Sequence, residues 1–140
     1  MRAGTVEARP VVVPGDAVSE GTAQTPGMMR LAGVSAETAG ATKVWLGRVT
    51  GEPHSVGPPH HHGEAETASF VLSGRCRVYF GEGFREYVEV GTGEFLWVPA
   101  HIVHLEANPY DEPVVAIVAR APDNIVVNLD VDPNFSIQID

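Results

Sequence analysis

All six histidines of this 140-residue chain lie between positions 54 and 104, and three are consecutive: His60, His61 and His62. Along an extended segment alternate side chains share a face, so His60 and His62 point one way and His61 the other. Two imidazoles on one face can grip a single metal ion, whereas two imidazolium groups there would repel each other. For this pair alone, a polar loop that happens to be histidine-rich is the plain alternative. A second pair, His104 and Glu106, is again spaced by two and follows about forty residues later. A few hairpins can fold that distance back. Together the pairs offer three nitrogens and one carboxylate oxygen. Such a set suits Fe(II), Mn(II), Ni(II), Co(II) or Zn(II) and leaves positions open for water or substrate.

The elements that must position these residues read as strands. β-rich runs occur at 42–49, 68–72, 75–80, 85–90, 94–98, 103–107 and 114–120. Several alternate with period two: Cys76, Val78 and Phe80 make an apolar face, while Arg75 and Arg77 mark the other. Fifteen glycines and eleven prolines punctuate the runs, and the 81–83 and 91–93 segments read as hairpin turns. No amphipathic helix of useful length is present, although 35–41 suits one helical turn. The pattern predicts an all-β antiparallel sandwich or barrel. Three stretches divide the chain: an N-terminal arm at 1–33 with a short apolar patch at 11–13, a β-domain at 34–122, and a tail at 123–140. The tail carries β-like runs at 124–129 and 135–139. Both flanks read as arms that pair with the barrel or with a partner subunit.

With 44% hydrophobic and 19% charged residues the chain suits one ordinary globular domain. A net charge of −9 on only nine Lys and Arg argues against nucleic acid and anionic lipid. No apolar run approaches the roughly 18 residues of a membrane helix, and residues 1–15 lack a secretory apolar core. A lone cysteine, Cys76, makes no intrachain disulfide. The expectation is a cytoplasmic protein.

The stretch from His60-His61-His62-Gly-Glu-Ala-Glu-Thr to Gly74 resembles the first motif of the cupin superfamily, in which Gly, His-x-His, Glu and Gly follow at set intervals. Gly93, Pro99, His104 and Asn108 resemble the second motif at its proper spacing, with His101 in place of its second glycine. Eighteen residues, 75–92, separate the two. The likeness covers roughly 42–120 and implies a double-stranded β-helix, the cupin jelly roll. Two positions depart from the pattern. Only two residues separate Gly57 from His60, and the usual glutamate position holds Thr67, with Glu66 one place earlier. Pirins, a cupin branch, take their carboxylate from a His-x-Glu pair on the later strand, and His60, His62, Glu66-Thr67, His104 and Glu106 are similar to that arrangement. The resemblance therefore implies His60, His62, His104 and Glu106 as ligands of one divalent transition metal. Glu66 is second choice, usable only if its strand bulges.

Around this set, Thr67 and Ser69 share a face that would look into the barrel, His101 sits at the turn before His104, and Glu64 is either an acceptor for an imidazole N–H or, the plainer reading, a solvated loop carboxylate. His61 and His54 read as surface residues; Cys76, Trp45 and Trp97 read as core. The implied function is a mononuclear metalloenzyme acting on a small organic substrate, dioxygenase-like or isomerase-like. A non-catalytic ligand-binding module and a structural metal staple are the alternatives. A homodimer with the arms at its interface is expected.

Overall fold

Strands form where β-branched and aromatic residues alternate with polar ones, and they stop at glycine and proline. The computed structural model describes residues 8–130. In chain order its elements are β1 (Met28–Val34), the helical turn α1 (Ala36–Ala39), β2 (Trp45–Gly51), β3 (Ser55–Val56), β4 (His60–His61), β5 (Glu66–Ser73), β6 (Arg75–Phe80), β7 (Glu86–Gly91), β8 (Phe95–Val98), β9 (His104–Asn108), β10 (Val114–Ala121) and β11 (Val127–Asn128). The turn α1 is bounded by a reciprocal cap between Ser35 and Thr38 and by left-handed Gly40. No helix among the described residues is long and apolar enough to cross a membrane.

The strands make two antiparallel sheets in a jelly roll, the double-stranded β-helix expected from the sequence. One sheet runs β1-β2-β10-β5-β8; the other runs β11-β4-β9-β6-β7, with β3 also paired to β9. Period two decides what each strand turns inward. On β10, Val114, Ala116, Val118 and Arg120 face the interior, opposite Val71 and Thr67 of β5. On β9, His104 and Glu106 face the interior from the other sheet. Trp45, Val49, Ala32 and Val118 form one packed cluster, and Val71, Val90 and Val114 another. Two glycines are indispensable to this packing. A Cβ at Gly47 would stand 2.4 Å from the Trp45 ring, and one at Gly74, already at φ +78, would stand 2.3 Å from the Pro113 carbonyl oxygen.

Three details differ from the sequence reading. The 91–93 turn is no hairpin: β7 belongs to one sheet and β8 to the other, so the turn carries the chain between them. Trp97 is not core; it lies exposed on the outer face of the five-stranded sheet. Residues 28–34 form an edge strand that runs across the boundary placed at 33. Its inward positions are Met28, Arg30 and Ala32, so a charge interrupts the apolar face, while Met29 and Leu31 make the other face apolar too and the alternation is hidden. Ser19 bridges to Ala32 on that edge. The patch at 11–13 leaves Val11 and Val12 exposed. Of the C-terminal runs, 124–129 contributes β11 to β4; the run at 135–139 lies outside the described residues.

Candidate metal centre

His60 and His62 sit on a short extended segment between Pro58-Pro59 and Gly63, and β9 lies beside it with His60 paired to His104. Each of the three imidazoles is tied at Nδ1 to a backbone carbonyl: His60 to Pro58 (3.1 Å), His62 to Ile125 (2.7 Å) and His104 to Ile102 (2.9 Å). A carbonyl only accepts, so each Nδ1 carries the proton and each Nε2 presents its lone pair. One potential ligand atom from each ring falls within 4.8 Å of the other two. All three rings are buried.

Glu106 stands between two of them. Its carboxylate oxygens lie 3.3 Å from Nε2 of His60 and 3.3 Å from Nε2 of His104. Lone pairs therefore face lone pairs, and a proton or a cation is needed between them. His60 Nε2 and Glu106 Oε1 are both buried without a hydrogen-bond partner, a costly arrangement unless something fills the gap. Burial, outweighing the attraction of Glu106, holds His60 below its usual pKa. Burial and then the Arg120 charge push His62 down to about 2. Burial also opposes the charged form of His104, but the charge and hydrogen bond of Glu106 outweigh it and the net shift is upward. Burial likewise opposes ionisation of Glu106, and the surrounding His60, His104 and Arg30 overcome it, holding the carboxyl well below its usual range. His60 and His62 are held neutral and Glu106 ionised, as a divalent metal requires, and a bound cation would displace the proton that Glu106 favours on His104, so the donor set fits such an ion.

Opposite the histidines lies a buried cation. Arg120 donates from Nε to Thr67 Oγ1 (2.8 Å), from Nη1 to Asn124 Oδ1 (2.8 Å) and from Nη2 to His62 Nε2 (3.1 Å). Asn124 is itself held by Thr22 Oγ1 (2.8 Å) and the Ala23 carbonyl (3.1 Å). Burial and the neighbouring Arg30 lower the Arg120 pKa to about 9, which leaves it charged at neutral pH. The inner faces enclose a cavity of about 70 Å³, room for roughly five water-sized groups. His104, Glu106, Thr67 and Arg120 mark its polar end, and valines such as Val71, Val90 and Val118 line the rest.

The structure thus brings together His60, His62, His104 and Glu106, and sets Thr67 and Ser69 on the cavity wall. It does not bring the other candidates in. Glu66 is exposed on the opposite face of β5, where it accepts from the Trp97 indole N–H (2.9 Å); β5 holds a regular register there and no bulge turns Glu66 inward. His101 is exposed, its backbone at φ +65 in the conformation its motif glycine would adopt. Glu64 is exposed as well, the solvated loop carboxylate of the plainer reading, and backbone carbonyls take the imidazole N–H groups. Sequence reasoning missed Arg120, Asn124 and Arg30. The signal for Arg120 was present: it shares the parity of Ala116 and Val118, so an inward strand face had to end in a charge.

The sequence of residues 47–120 matches the Cupin domain family. No curated protein matches the chain. Among solved structures it is similar to the polyketide cyclase RemF from Streptomyces resistomycificus, with 21% identity and TM-score 0.67 over 91% of this chain and 90% of that one. It is similar to an uncharacterized protein with a double-stranded β-helix domain from Klebsiella pneumoniae subsp. pneumoniae, with 18% identity and TM-score 0.62 over 89% and 100%. It is also similar to oxalate oxidase in complex with the substrate analogue glycolate, with 22% identity and TM-score 0.64 over 79% of this chain and 60% of that one. These likenesses establish the fold.

Proposed function

Because this chain belongs to the cupin family, we propose that it is a mononuclear metal-dependent enzyme in which His60, His62, His104 and Glu106 hold one divalent transition metal against a small organic substrate. One observation carries the reading. Three imidazoles anchored at Nδ1 each offer a ligand atom within 4.8 Å of the other two, and two of the buried polar atoms there, His60 Nε2 and Glu106 Oε1, have no partner. A bound ion of the set Fe, Mn, Ni, Co or Zn supplies Lewis acidity or, where redox-active, electron transfer. The protein's own part is to hold His60 and His62 neutral, to keep Glu106 ionised beside His104, and to confine the substrate in a largely apolar cavity. The reaction class is dioxygenase-like or isomerase-like. The test is metal analysis of natively purified protein, followed by oxygen uptake and product analysis with a panel of small acids, phenols and thiols. About one metal per chain and turnover of one panel member support the reading; a metal-free protein that takes up none of the ions sinks it.

A non-catalytic binding module remains the second reading, for a specific reason. Apart from His104 and Glu106, the titratable side chains lining the cavity are Arg120 and Cys76, and burial raises the Cys76 thiol to about 12. Among the described residues that line the cavity no further base stands ready at neutral pH, which favours binding over metal-free chemistry.

The same reading includes a homodimer. The outer face of the five-stranded sheet carries Phe95 stacked near Phe70 (ring centroids 4.8 Å) and exposed Trp97, Leu72 and Leu46. A two-fold axis can bury such a patch against its own copy. The exposed Val11 and Val12 of the N-terminal arm lie free to reach that second copy. Light scattering should give a dimer that the double variant Phe95→Lys, Trp97→Lys converts to monomer.

A further inference from the structure

We propose that the substrate or ligand of this site is a small carboxylate with an apolar body, its acid group held by Arg120 beside the residues that would hold the metal. This rests on the metal reading above and adds the chemical class of what the site takes.

Three independent features lead to it. The first is position. Where the cupin motif places a carboxylate ligand this chain has Thr67, and Thr67 holds the Nε of Arg120 at 2.8 Å. A cation therefore stands beside the centre in place of a second anion, fixed by Thr67 and Asn124 on two of its nitrogens. The third nitrogen, Nη2, donates to His62 Nε2. A lone pair given to a metal cannot also accept a hydrogen bond, so metal binding at His62 leaves Nη2 without an acceptor, buried beside the metal. A ligand oxygen is the group that restores the bond, and a guanidinium prefers an ionised one.

The second feature is charge. Arg30 and Arg120 are both buried, and Nε and Nη2 of Arg30 have no hydrogen-bond partner. Among the described residues that line the cavity, Glu106 is the only acid. A divalent metal adds to an interior that already holds more positive charge than negative, and an anionic ligand corrects the surplus.

The third is the shape of the remaining space. Beyond the polar end the wall is mostly apolar, with Val49, Val71, Val90, Leu96, Val98 and Val118 outnumbering Ser55, Ser69 and Asn108. At about 70 Å³ the cavity has room for a short chain, and its mostly apolar wall favours an aliphatic one.

The experiment measures binding, by calorimetry and thermal shift, at fixed pH and ionic strength, on Zn(II)-loaded and metal-free protein. The probes are acetate, propionate, butyrate and isobutyrate, with isobutyramide as the neutral isostere. Metal content is read in parallel. The expected result is that isobutyrate binds the loaded protein about tenfold or more tightly than isobutyramide. Affinity should rise roughly fourfold per methylene from acetate to butyrate. Arg120→Lys should retain metal and lose most of the preference for the acid over the amide. Thr67→Val, which frees Arg120 Nε while leaving the charge in place, should weaken isobutyrate by a few-fold with metal unchanged. Equal binding of acid and amide, or no binding of either to stoichiometrically loaded protein, overturns the carboxylate assignment while leaving the metal reading intact. A protein that takes no metal yet still prefers isobutyrate to isobutyramide, with the preference lost in Arg120→Lys, overturns the metal reading and leaves the Arg120 acid site standing. If Arg120→Lys fails to fold, the acid-to-amide comparison in wild-type protein still decides.

Discussion

The six-stranded sheet carries a charged network on each of its faces, and the two are built on opposite terms. On the outer face, Arg75 lies over the Tyr110 ring at 3.7 Å, Arg77 donates to Tyr79 Oη and Glu89, and the Tyr110 hydroxyl donates to Glu89. Its charges are opposite, half-exposed and satisfied by one another. On the inner face, His60, His104 and Glu106 crowd acceptors against acceptors, buried, with two atoms unpartnered. A network that completes itself gains a modest amount of stability and requires nothing further. A buried one left incomplete costs stability, and its persistence points to a ligand that completes it.

The largest effect that follows concerns what each network does when a metal is offered. A hundredfold excess of metal over Kd stabilises the folded state by about 2.7 kcal/mol, which is roughly 8 °C in Tm for a domain of this size. His104→Ala should remove that rise, since it deletes one nitrogen and frees Glu106. A matching change on the outer face, Arg77→Ala, should leave the rise intact. Melting curves with and without Zn(II) make the measurement; equal rises in wild type and His104→Ala would contradict the inner site.

A sharper probe asks whether the inner face is strained as it stands. Glu106→Gln puts an amide NH₂ donor where two imidazole lone pairs wait. The metal-free variant should be at least as stable as the metal-free wild type, to within about 1 kcal/mol, while its metal affinity falls. The contrary result, a metal-free variant less stable by about 2 kcal/mol or more, would mean that Glu106 already forms a structural ion pair with protonated His104.

The two faces also differ in how much of them could be read in advance. The strands of the β-domain were legible because their inward positions are apolar and alternate, as in Cys76 and Val78 of β6 and Val114, Ala116 and Val118 of β10. His60, His62, His104 and Glu106 were legible because two pairs spaced by two survive any error in strand boundaries. Thr67 was correctly separated from Glu66 by parity alone. What escaped was a set of residues whose partners lie far along the chain. Arg120 meets Thr67 and His62 across more than fifty residues, and Asn124 meets Thr22 across about a hundred. Arg30 sits inward between Met28 and Ala32 on a strand whose other face carries Met29 and Leu31, so no clean alternation marks it as a strand. The outer network was equally hidden: Arg75 and Arg77 marked a polar face, but nothing local ties them to Tyr110.

A smaller mutational effect separates hydrogen bond from charge on the outer face. Tyr110→Phe deletes the hydroxyl that bonds Glu89 and should cost about 0.5–1.5 kcal/mol, with no change in metal content. A loss of metal in this variant would show that the two faces are coupled through β6 and β9, and the contrast drawn between them would fail.

The smallest expected effect is the pH dependence of that same network. The Tyr110 hydroxyl lowers the Glu89 pKa most; burial opposes it, and the hydrogen bond from Arg77 and the charges of Arg75 and Arg77 lower it further, leaving the carboxyl below its ordinary 4.5. A depressed carboxyl pKa means that the unfolded chain binds the proton more readily than the folded one. Glu89 therefore contributes stability above its unfolded value near 4.5, and that contribution is lost as pH falls through the folded value. Solvent reaches the side chain, which is 35% exposed, so the contribution is screened and diminishes with salt. The measurement is the difference in Tm between metal-free wild type and Glu89→Gln, taken from pH 7 down to pH 3 at low and high salt. The difference should be greatest at pH 7 in low salt and should close as the carboxylate protonates. A difference that stays constant across that range would mean that Glu89 acts through packing under Tyr110 and not through its charge. The outer network would then be held together by its aromatic rings, with the carboxylate as a bystander.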